Sequence, residues 1–198
     1  MYKLLIFDLD GVLADTSGMH ESSIISAIEE HIPDIVFDEN ALQIIQMAVP
    51  TVVKLQKLGI DPELAAKIAN TKQDITASLL NKIPVDKKLV KIFRKISDKY
   101  SVAVASNSHT KTVEKVLDQL GILEFVDFYI GNDLLQSSKP SPEIFNKCFR
   151  HFNVSSAESI IFEDSPVGLM AARLSGSKVI PVKSPKDFKR KVRRYLVH

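Results

Sequence analysis

The sequence predicts an α/β protein, in which helices cover a parallel sheet and an all-helical segment is inserted close to the N-terminus. From residue 82 onward, short apolar runs alternate with segments of helical period, a pattern typical of parallel strands joined by helices. One further apolar run, "YKLLIF", stands at residues 2–7, and the segments between it and residue 82 have helical spacing. We therefore predict an α/β core from residues 1–14 and 82–198 and a helical domain from residues 15–81.

The N-terminal elements carry separate signals. "YKLLIF" is a continuous apolar run, as expected of a strand buried on both faces. The first inserted helix is predicted to be capped by Ser17 and to end before Pro33, with one apolar face formed by Ile24, Ile25, Ile28 and Ile32. Three more helices begin at residues that favour a helix N-terminus, and these residues are Asp38, Pro50 and Asp61. The second helix is predicted to run to Val49, and the fourth to carry an apolar stripe of Leu64, Ile68, Ile75 and Leu79.

The C-terminal part alternates between the two periods. Strands are predicted at residues 101–106, 128–131, 159–162 and 178–182. Helices are predicted at residues 86–100, 110–120, 141–152 and 166–174. The last segment, "KDFKRKVRRYLVH", is basic and has an apolar face formed by Phe188, Val192, Tyr195 and Leu196. We expect it to be a terminal helix that docks on the core with its basic side in solvent.

Composition limits the class of function. The chain has 198 residues, of which 45% are hydrophobic, and its net charge of +2 makes neither a nucleic acid nor a membrane a required partner. No run approaches the roughly 18 apolar residues of a membrane span. The one cysteine, Cys148, excludes an internal disulfide framework and fits a reducing compartment, so we predict a cytoplasmic protein. We expect Cys148 itself to be a small apolar residue on a helix. The sequence predicts no oligomeric state.

Polar residues follow four of the predicted strands at the points where they end. They are Asp8 and Asp10, "SNS" at 106–108, "SSKPSPE" with Lys139, and "EDS" at 163–165. Ligands of an open parallel sheet bind outside the carboxyl ends of its strands, so we expect these loops to converge. Carboxylate oxygens suit Mg²⁺, whereas a lysine and a hydroxyl suit phosphate oxygens. The set predicts a phosphoryl-transfer site around a hard cation.

The spacing of the first two acids indicates which chemical roles they could have. Asp8 and Asp10 stand two residues apart, so their side chains face the same way if the strand continues through them. One can then attack a phosphate ester as a nucleophile while the other acts as acid and base. Gly11 allows the chain to turn sharply directly after them.

Four segments together resemble the motifs of the haloacid dehalogenase superfamily, in order: "FDLDGVLADT", "ASNS", "SSKPSPEIF" and "IFEDSPVGLMAA". The helical insertion after the first motif resembles the group that contains phosphoglycolate phosphatases and β-phosphoglucomutases. The resemblance spans nearly the whole chain. It implies a Rossmann-like core with a helical cap, and an Mg²⁺-dependent phosphatase that hydrolyses a small phosphorylated metabolite through an aspartyl phosphate. The acid at position 10 favours a phosphate ester over a halide, because an alkoxide leaving group needs a proton.

The resemblance implies a catalytic role for three matched residues. Asp8 is the nucleophile that attacks phosphorus. Asp10 protonates the leaving oxygen and later activates water. Lys139 neutralises charge on the nucleophile and on the transferring group.

It also implies the residues that bind the metal and the phosphate. The side chains of Asp8 and Asp164 and the backbone carbonyl of Asp10 hold Mg²⁺, and Glu163 lies close by. The hydroxyl of Ser106 and the backbone after it, at Asn107, hold the phosphoryl oxygens. Asp164 has a second possible role as a cap of the helix predicted to begin at Pro166.

Two residues of the helical domain are candidate substrate contacts. "DTSGMH" resembles the entry of a mutase-like cap, in which a histidine at the position of His20 faces the active site. Lys72 resembles a cap lysine that reaches toward the substrate. Each has a plain alternative, because lone histidines and lysines on helices are mostly structural or solvated.

Two other functions stay open beside a phosphatase. A phosphosugar mutase of the β-phosphoglucomutase type has the same fold but needs a second phosphate clamp, for which arginine is well suited. β-Phosphoglucomutases carry an arginine in the cap, whereas residues 15–81 contain none, so the sequence favours the phosphatase. The second alternative is a non-catalytic binding or regulatory protein whose basic C-terminal segment contacts nucleic acid or anionic lipid.

Overall fold

The computed structural model describes residues 1–47 and 49–196, and the side chains of Ser17, Tyr195 and Leu196 lie outside that description. The chain divides into two compact units. One unit comprises Met1–Asp15 and Ile83–His198, and the other comprises Thr16–Lys82. These boundaries fall one residue after those predicted from the change in sequence pattern.

The first unit is built on a five-stranded sheet in which every strand pair is parallel. Its strands are β1 (Leu4–Phe7), β2 (Ser101–Ala105), β3 (Phe128–Ile130), β4 (Ser159–Glu163) and β5 (Lys178–Pro181). They lie in the order β3-β2-β1-β4-β5, so the N-terminal strand is central and fully buried, as its continuous apolar run predicts. The predicted α/β fold class is confirmed.

The helices follow the predicted order. They are α1 (Ser17–His31), α2 (Glu39–Gln46), α3 (Thr51–Lys57), α4 (Pro62–Leu80), α5 (Lys87–Ser97), α6 (Thr110–Leu120), α7 (Glu143–Phe152), α8 (Pro166–Leu174) and α9 (Pro185–Leu196). Three short 3₁₀ turns, which the sequence pattern did not predict, lie at Leu123–Phe125, Asn132–Leu134 and Ser156–Glu158. Of the helices that the structure describes, none combines the length and apolar composition needed to cross a membrane.

An aromatic cluster joins one face of the sheet to α5 and α9. The ring centroid of Phe7 on β1 lies 5.3 Å from that of Phe93, 5.1 Å from that of Phe162 and 5.4 Å from that of Phe188. Phe188 and Val192 are fully buried, so the terminal helix docks on the core as predicted. The predicted contributions of Tyr195 and Leu196 to that face lie outside the described residues.

A second apolar cluster lies against α7 and α8. It contains residues from the central strands and from both helices: Leu4, Ile6, Ala103, Ile144, Phe145, Ala171 and Ala172. Cys148 on α7 is fully buried within it, which confirms its assignment as a small apolar helix residue.

The second unit is all helical, with α1 packed along α4. Its core includes Ile24 and Ile28 from α1, Ile45 from α2, Leu55 from α3 and Ile68 from α4. Of the stripe predicted for α4, Ile68 lies in this core, and Leu64 and Ile75 pack against it while half-buried. The fully buried residues of α4 also include Ala65, Thr76 and Leu80, which the stripe did not contain.

The observed helix ends can be compared with the predicted capping residues and bounds. The carboxylate of Asp61 accepts hydrogen bonds from the backbone of Glu63 and Leu64, both at 3.1 Å, as its predicted N-cap role requires. At α1 the prediction is one residue late, because Thr16 occupies the N-cap position and Ser17 is already helical. The second predicted helix, which reaches Val49, is also too long. It ends at Gln46, and position 48 lies outside the described residues.

Candidate active site

The sheet register brings three loops to one level at the carboxyl edge. Phe7 on β1 is paired with Val104 on β2 and with Phe162 on β4. The next residues along these strands are therefore neighbours at the edge, and they are Asp8, Ala105 and Glu163. Asp8 has only 6% of its surface exposed and Glu163 has 1%, so two acidic groups lie almost out of contact with solvent.

Lys139 reaches into this edge and joins the two acids. Its ammonium group donates to Oδ1 of Asp8 at 2.6 Å, to Oε2 of Glu163 at 2.7 Å and to the carbonyl of Ala105 at 2.9 Å. These bonds use all three donors of the amine. Burial lowers the pKa of Lys139, but the carboxylates of Asp8 and Glu163 raise it more, so the pKa lies above its usual value. Lys139 is therefore held as a cation.

At Asp8, by contrast, the surroundings favour the neutral form of the side chain. Burial raises the pKa of Asp8, and the negative charge of Glu163 raises it further. The ammonium of Lys139 lowers it, but not enough, so the pKa of Asp8 lies well above its usual value. A further positive charge at this point would favour the ionised carboxylate.

Glu163 is fixed by the loop that follows β4. Its Oε1 accepts from the backbone of Asp164 at 3.1 Å, from the backbone of Ser165 at 3.2 Å and from the Ser165 hydroxyl at 3.0 Å. A Cβ atom on Gly168 would lie 2.1 Å from Cδ of Glu163, so only glycine leaves room for this carboxylate against the start of α8.

Asp164 lies beside the turn that follows the first acids. A Cβ atom on Gly11 would lie 2.0 Å from Oδ2 of Asp164. Burial and the charge of Glu163 raise the pKa of Asp164 to about 6. The alternative role of Asp164 as a helix cap is wrong, because Ser165 is the N-cap of α8 and accepts from the backbone of Gly168 at 3.0 Å.

The loop after β2 holds Asp10. The hydroxyl of Ser108 donates to Oδ2 of Asp10 at 2.9 Å, and the hydroxyl of Ser106 does so at 3.4 Å. In the same loop, Oδ1 of Asn107 accepts from the backbone of Lys139 at 3.2 Å. Ser108 was not singled out from the sequence, although "SNS" places two hydroxyls two residues apart.

The loop that follows β3 is hydrogen-bonded to the loop that follows β2. Asp133 accepts from the backbone and from the hydroxyl of Thr110, both at 2.7 Å, and the backbone of Asn132 donates to the carbonyl of Ser108 at 3.0 Å. A Cβ atom on Gly131 would lie 2.3 Å from the backbone nitrogen of Thr110. These contacts were not predicted from the sequence, because no local pattern links residues 131–133 to residues 108–110.

The acidic residues fit a divalent cation. Asp8, Glu163 and Asp164 each offer a carboxylate oxygen, and these three oxygens lie within 4.8 Å of one another. Lys139 supplies one positive charge among them, so the group keeps an excess of negative charge. Clustered carboxylate oxygens are the ligands that Mg²⁺ prefers. Burial, together with the negative charge of Glu163, raises the pKa of both Asp8 and Asp164, and a bound cation would act against that shift.

His20 and Lys72 belong to the other unit. They are neighbours on α1 and α4, where Nζ of Lys72 lies 3.1 Å from Nδ1 of His20. Both side chains are partly exposed. Their roles as substrate contacts stay predictions.

A buried lysine between two acids at the carboxyl edge of a parallel sheet, beside a third carboxylate, is an arrangement suited to phosphoryl transfer. The sequence profile of the haloacid dehalogenase-like hydrolases matches residues 5–182 of this chain. The chain therefore belongs to that family. The predictions of the family, of its fold and of a phosphatase-type enzyme are confirmed.

Individual relatives agree with the family. The chain is 26% identical over 188 residues to the fructose-1-phosphate phosphatase YqaB of Escherichia coli, covering 92% of this chain and 97% of that protein. It is 25% identical over 181 residues to a phosphorylated carbohydrates phosphatase of Thermotoga maritima, covering 88% and 82% of the two chains. Its fold is similar to that of β-phosphoglucomutase from Clostridium difficile, with a TM-score of 0.78 at 23% identity over 96% of this chain and 88% of that one.

Proposed function

We propose that the chain is an Mg²⁺-dependent phosphatase that hydrolyses a small phosphomonoester, with a phosphorylated sugar as the substrate class. The observation that carries the proposal is the buried carboxylate of Asp8, held at 2.6 Å by Lys139 beside the carboxylate of Asp164. The sugar class is supported by relatives that act on fructose 1-phosphate and on phosphorylated carbohydrates.

Asp8 is the nucleophile in this proposal. Lys139 fixes its carboxylate by binding Oδ1, and a carboxylate oxygen of Asp8 attacks the phosphorus of the ester. As the bond from Asp8 to phosphorus forms, the bond from phosphorus to the ester oxygen breaks. The ammonium of Lys139 offsets the negative charge of the transferring group in a buried setting, where electrostatic interactions are strong.

Asp10 moves the protons. It gives a proton to the departing ester oxygen, so the product leaves as an alcohol. The resulting carboxylate takes a proton from water, whose oxygen attacks the phosphorus of the aspartyl phosphate. The bond to Asp8 then breaks and inorganic phosphate leaves. The hydroxyls of Ser106 and Ser108 support this role, because they hold the carboxyl group of Asp10 in one orientation.

We assign Mg²⁺ to the side chains of Asp8 and Asp164 and the backbone carbonyl of Asp10. When bound, the ion supplies positive charge that stabilises the phosphoryl oxygens. Glu163 lies in the same acidic group, but its two oxygens already accept from Lys139 and from the backbone after β4. We therefore propose that Glu163 holds Lys139 and the turn at residues 164–165 beside the ion. Ser106 and the backbone at Asn107 are assigned to the phosphoryl oxygens.

The domain roles complete the proposal. Residues 1–14 and 82–198 form the catalytic core and residues 15–81 form a cap, with His20 and Lys72 as its substrate contacts. The cytoplasmic location, which the sequence predicts from its single cysteine, is part of the same proposal.

The proposal is tested with a panel of sugar phosphates that includes fructose 1-phosphate, assayed for phosphate release with Mg²⁺ and with EDTA. Asp8→Asn keeps the size of the side chain but removes the attacking charge, so it should abolish turnover while the circular dichroism spectrum stays unchanged. Asp164→Ala should weaken activation by Mg²⁺. Near-normal hydrolysis by Asp8→Asn, or activity that persists in EDTA, would refute the mechanism.

A mutase is the second candidate, favoured by the fold of β-phosphoglucomutase. A mutase must hold a bisphosphorylated intermediate, yet residues 15–81 contain no arginine to clamp its second phosphate. We therefore expect free phosphate, and little glucose 6-phosphate, from β-glucose 1-phosphate even with a bisphosphate primer. Nuclear magnetic resonance of the sugar phosphates decides the matter: efficient isomerisation without phosphate release would favour the mutase.

A further inference from the structure

Two basic helices that are far apart in the sequence lie side by side in the first unit. The rings of Phe93 on α5 and Phe188 on α9 both pack against Phe7, at 5.3 and 5.4 Å. An ion pair between Lys189 and Asp86 also joins α9 to the start of α5. The apolar sides of both helices are buried against the sheet, which leaves their polar sides at the surface.

The net charge of these two helices differs strongly from the net charge of the whole chain. Together α5 and α9 carry eleven lysine or arginine residues and a single acid, Asp187, so their net charge is +10. The whole chain has a net charge of +2, so the remainder carries −8. The small net charge of the chain therefore hides a concentration of positive charge on these two helices.

The cations form two rows, which we call the basic face: Lys87, Lys91 and Lys95 on α5, and Lys186, Arg190 and Arg193 on α9. All six residues are exposed. Within each row the residues stand three or four positions apart, which places them about 4.5–6 Å apart along the helix. No ion pair with an acid engages the α5 row among the described residues. Arg190 pairs with Asp187, but its side chain is still 73% exposed.

We propose that the basic face binds the phosphate backbone of duplex DNA without regard to base sequence. Regularly spaced cations on a surface of two adjacent helices complement a regularly charged polyanion. The proposal is independent of the phosphatase activity. From the sequence, a solvated basic side was expected for the C-terminal segment, with contact to nucleic acid or anionic lipid as the alternative, and α5 was part of neither expectation.

Two other polyanionic partners fit less well. An anionic membrane also attracts a basic surface, but firm attachment takes a second signal such as inserted apolar side chains, and Ile92, Phe93, Phe188 and Val192 are buried in the core. Single-stranded nucleic acid is bound by stacking its bases on aromatic rings. Among the described residues, the large hydrophobic side chains that are exposed include no aromatic ring.

The test measures the anisotropy of a fluorescent 20-base-pair DNA duplex over a range of salt concentrations. If the face neutralises about five phosphates, the logarithm of the affinity should fall with the logarithm of salt concentration with a slope of about −4 to −5. The triple variant Lys87→Gln, Lys91→Gln, Lys95→Gln should reduce the size of this slope by about 3 and weaken binding at low salt at least tenfold.

A matched control removes the same charge elsewhere. The triple variant Lys57→Gln, Lys67→Gln, Lys178→Gln alters three exposed lysines outside α5 and α9 and should bind DNA nearly as the unaltered protein does. Both triple variants should keep the phosphatase activity of the unaltered protein, which shows that they are folded. The proposal is overturned if the unaltered protein does not bind the duplex at low salt, or if the control loses as much affinity. It is also overturned if a single strand or phosphatidylserine vesicles are bound in preference.

Discussion

Gly11 and Asp164 occupy adjoining space at the carboxyl edge of the sheet: a Cβ atom on Gly11 would lie 2.0 Å from Oδ2 of Asp164. Gly11 also has a φ of +83°, in the left-handed region that residues with a side chain rarely adopt. The absence of a side chain at position 11 is therefore what lets the proposed Mg²⁺ ligand approach the turn that carries Asp8 and Asp10.

We expect Gly11→Ala to lower the proposed Mg²⁺-dependent phosphatase activity on the order of a hundredfold, because a displacement of about 1 Å is enough for a loss of that size. The measurement is kcat/KM as a function of Mg²⁺ concentration. Gly18→Ala is the matched control, since a Cβ atom there meets nothing within 4 Å beyond its chain neighbours and the backbone of its own helix. Equal activities in the two variants would contradict the expectation.

Lys139→Met should destabilise the fold as well as abolish activity. The change leaves Asp8 and Glu163 buried without the cation that bridges them, and loss of one partner of a buried ion pair costs about 3 kcal/mol or more. Urea unfolding in EDTA measures this free energy. Lys67→Met removes an exposed pair with Glu63 and should change it by less than about 1 kcal/mol. A similar effect of both substitutions would argue against a special role for the buried pair.

Asp133 should act on the reaction through Ser108 and Asp10, which its loop positions. Asp133→Ala removes the acceptor of two hydrogen bonds from Thr110 and should lower kcat about tenfold. Asp133→Asn keeps an oxygen that can accept both bonds and should retain most of the activity. Steady-state kinetics together with the melting temperature separate positioning from stability. If both variants lose stability while their folded forms keep full kcat, the positioning role is wrong.

Cys148 should be unreactive in the folded protein. Burial raises the pKa of its thiol from 9.0 to about 12, so the thiol stays protonated at pH 8. A pKa raised on folding contributes stability that is present below pH 9 and is lost as the pH rises toward 12. Labelling with a disulfide reagent at pH 8 should therefore be slow in buffer and fast in guanidinium chloride. The stability advantage over Cys148→Ala should shrink between pH 8 and pH 11. Rapid labelling of the folded protein would contradict the burial on which this rests.

The elements of the fold were predictable because their signals are local. A continuous apolar run marks β1, and capping residues such as Asp61 mark helix starts, since both depend on neighbours within a few positions. The errors, by contrast, come from packing between elements. The stripe predicted for α4 contained Ile68 but not Ala65 or Thr76, because burial depends on what packs against a residue as well as on its hydrophobicity.

The same distinction between local signals and contacts of distant segments applies to the candidate site. Asp8, Asp10, Lys139 and Asp164 were predicted from residue types at strand ends, because parallel strands must bring their carboxyl ends to one edge. The partners that hold them were not predicted. Gly11 was assigned to a turn but not to contact with Asp164, Gly168 was not linked to Glu163, and Asp133 was missed. Each of these contacts joins segments that only the completed sheet brings together.

The sequence by itself determined the alternation of strands and helices, the helical insertion, the acids and lysine of the site and the family, because these depend on composition and order along the chain. Only the tertiary structure decided the strand order, the bridging of Asp8 and Glu163 by Lys139, and the meeting of α5 with α9. The physical reason is that electrostatic and steric interactions depend on distance in space. Asp8 and Lys139, 131 positions apart in the chain, interact at 2.6 Å only once the sheet has formed.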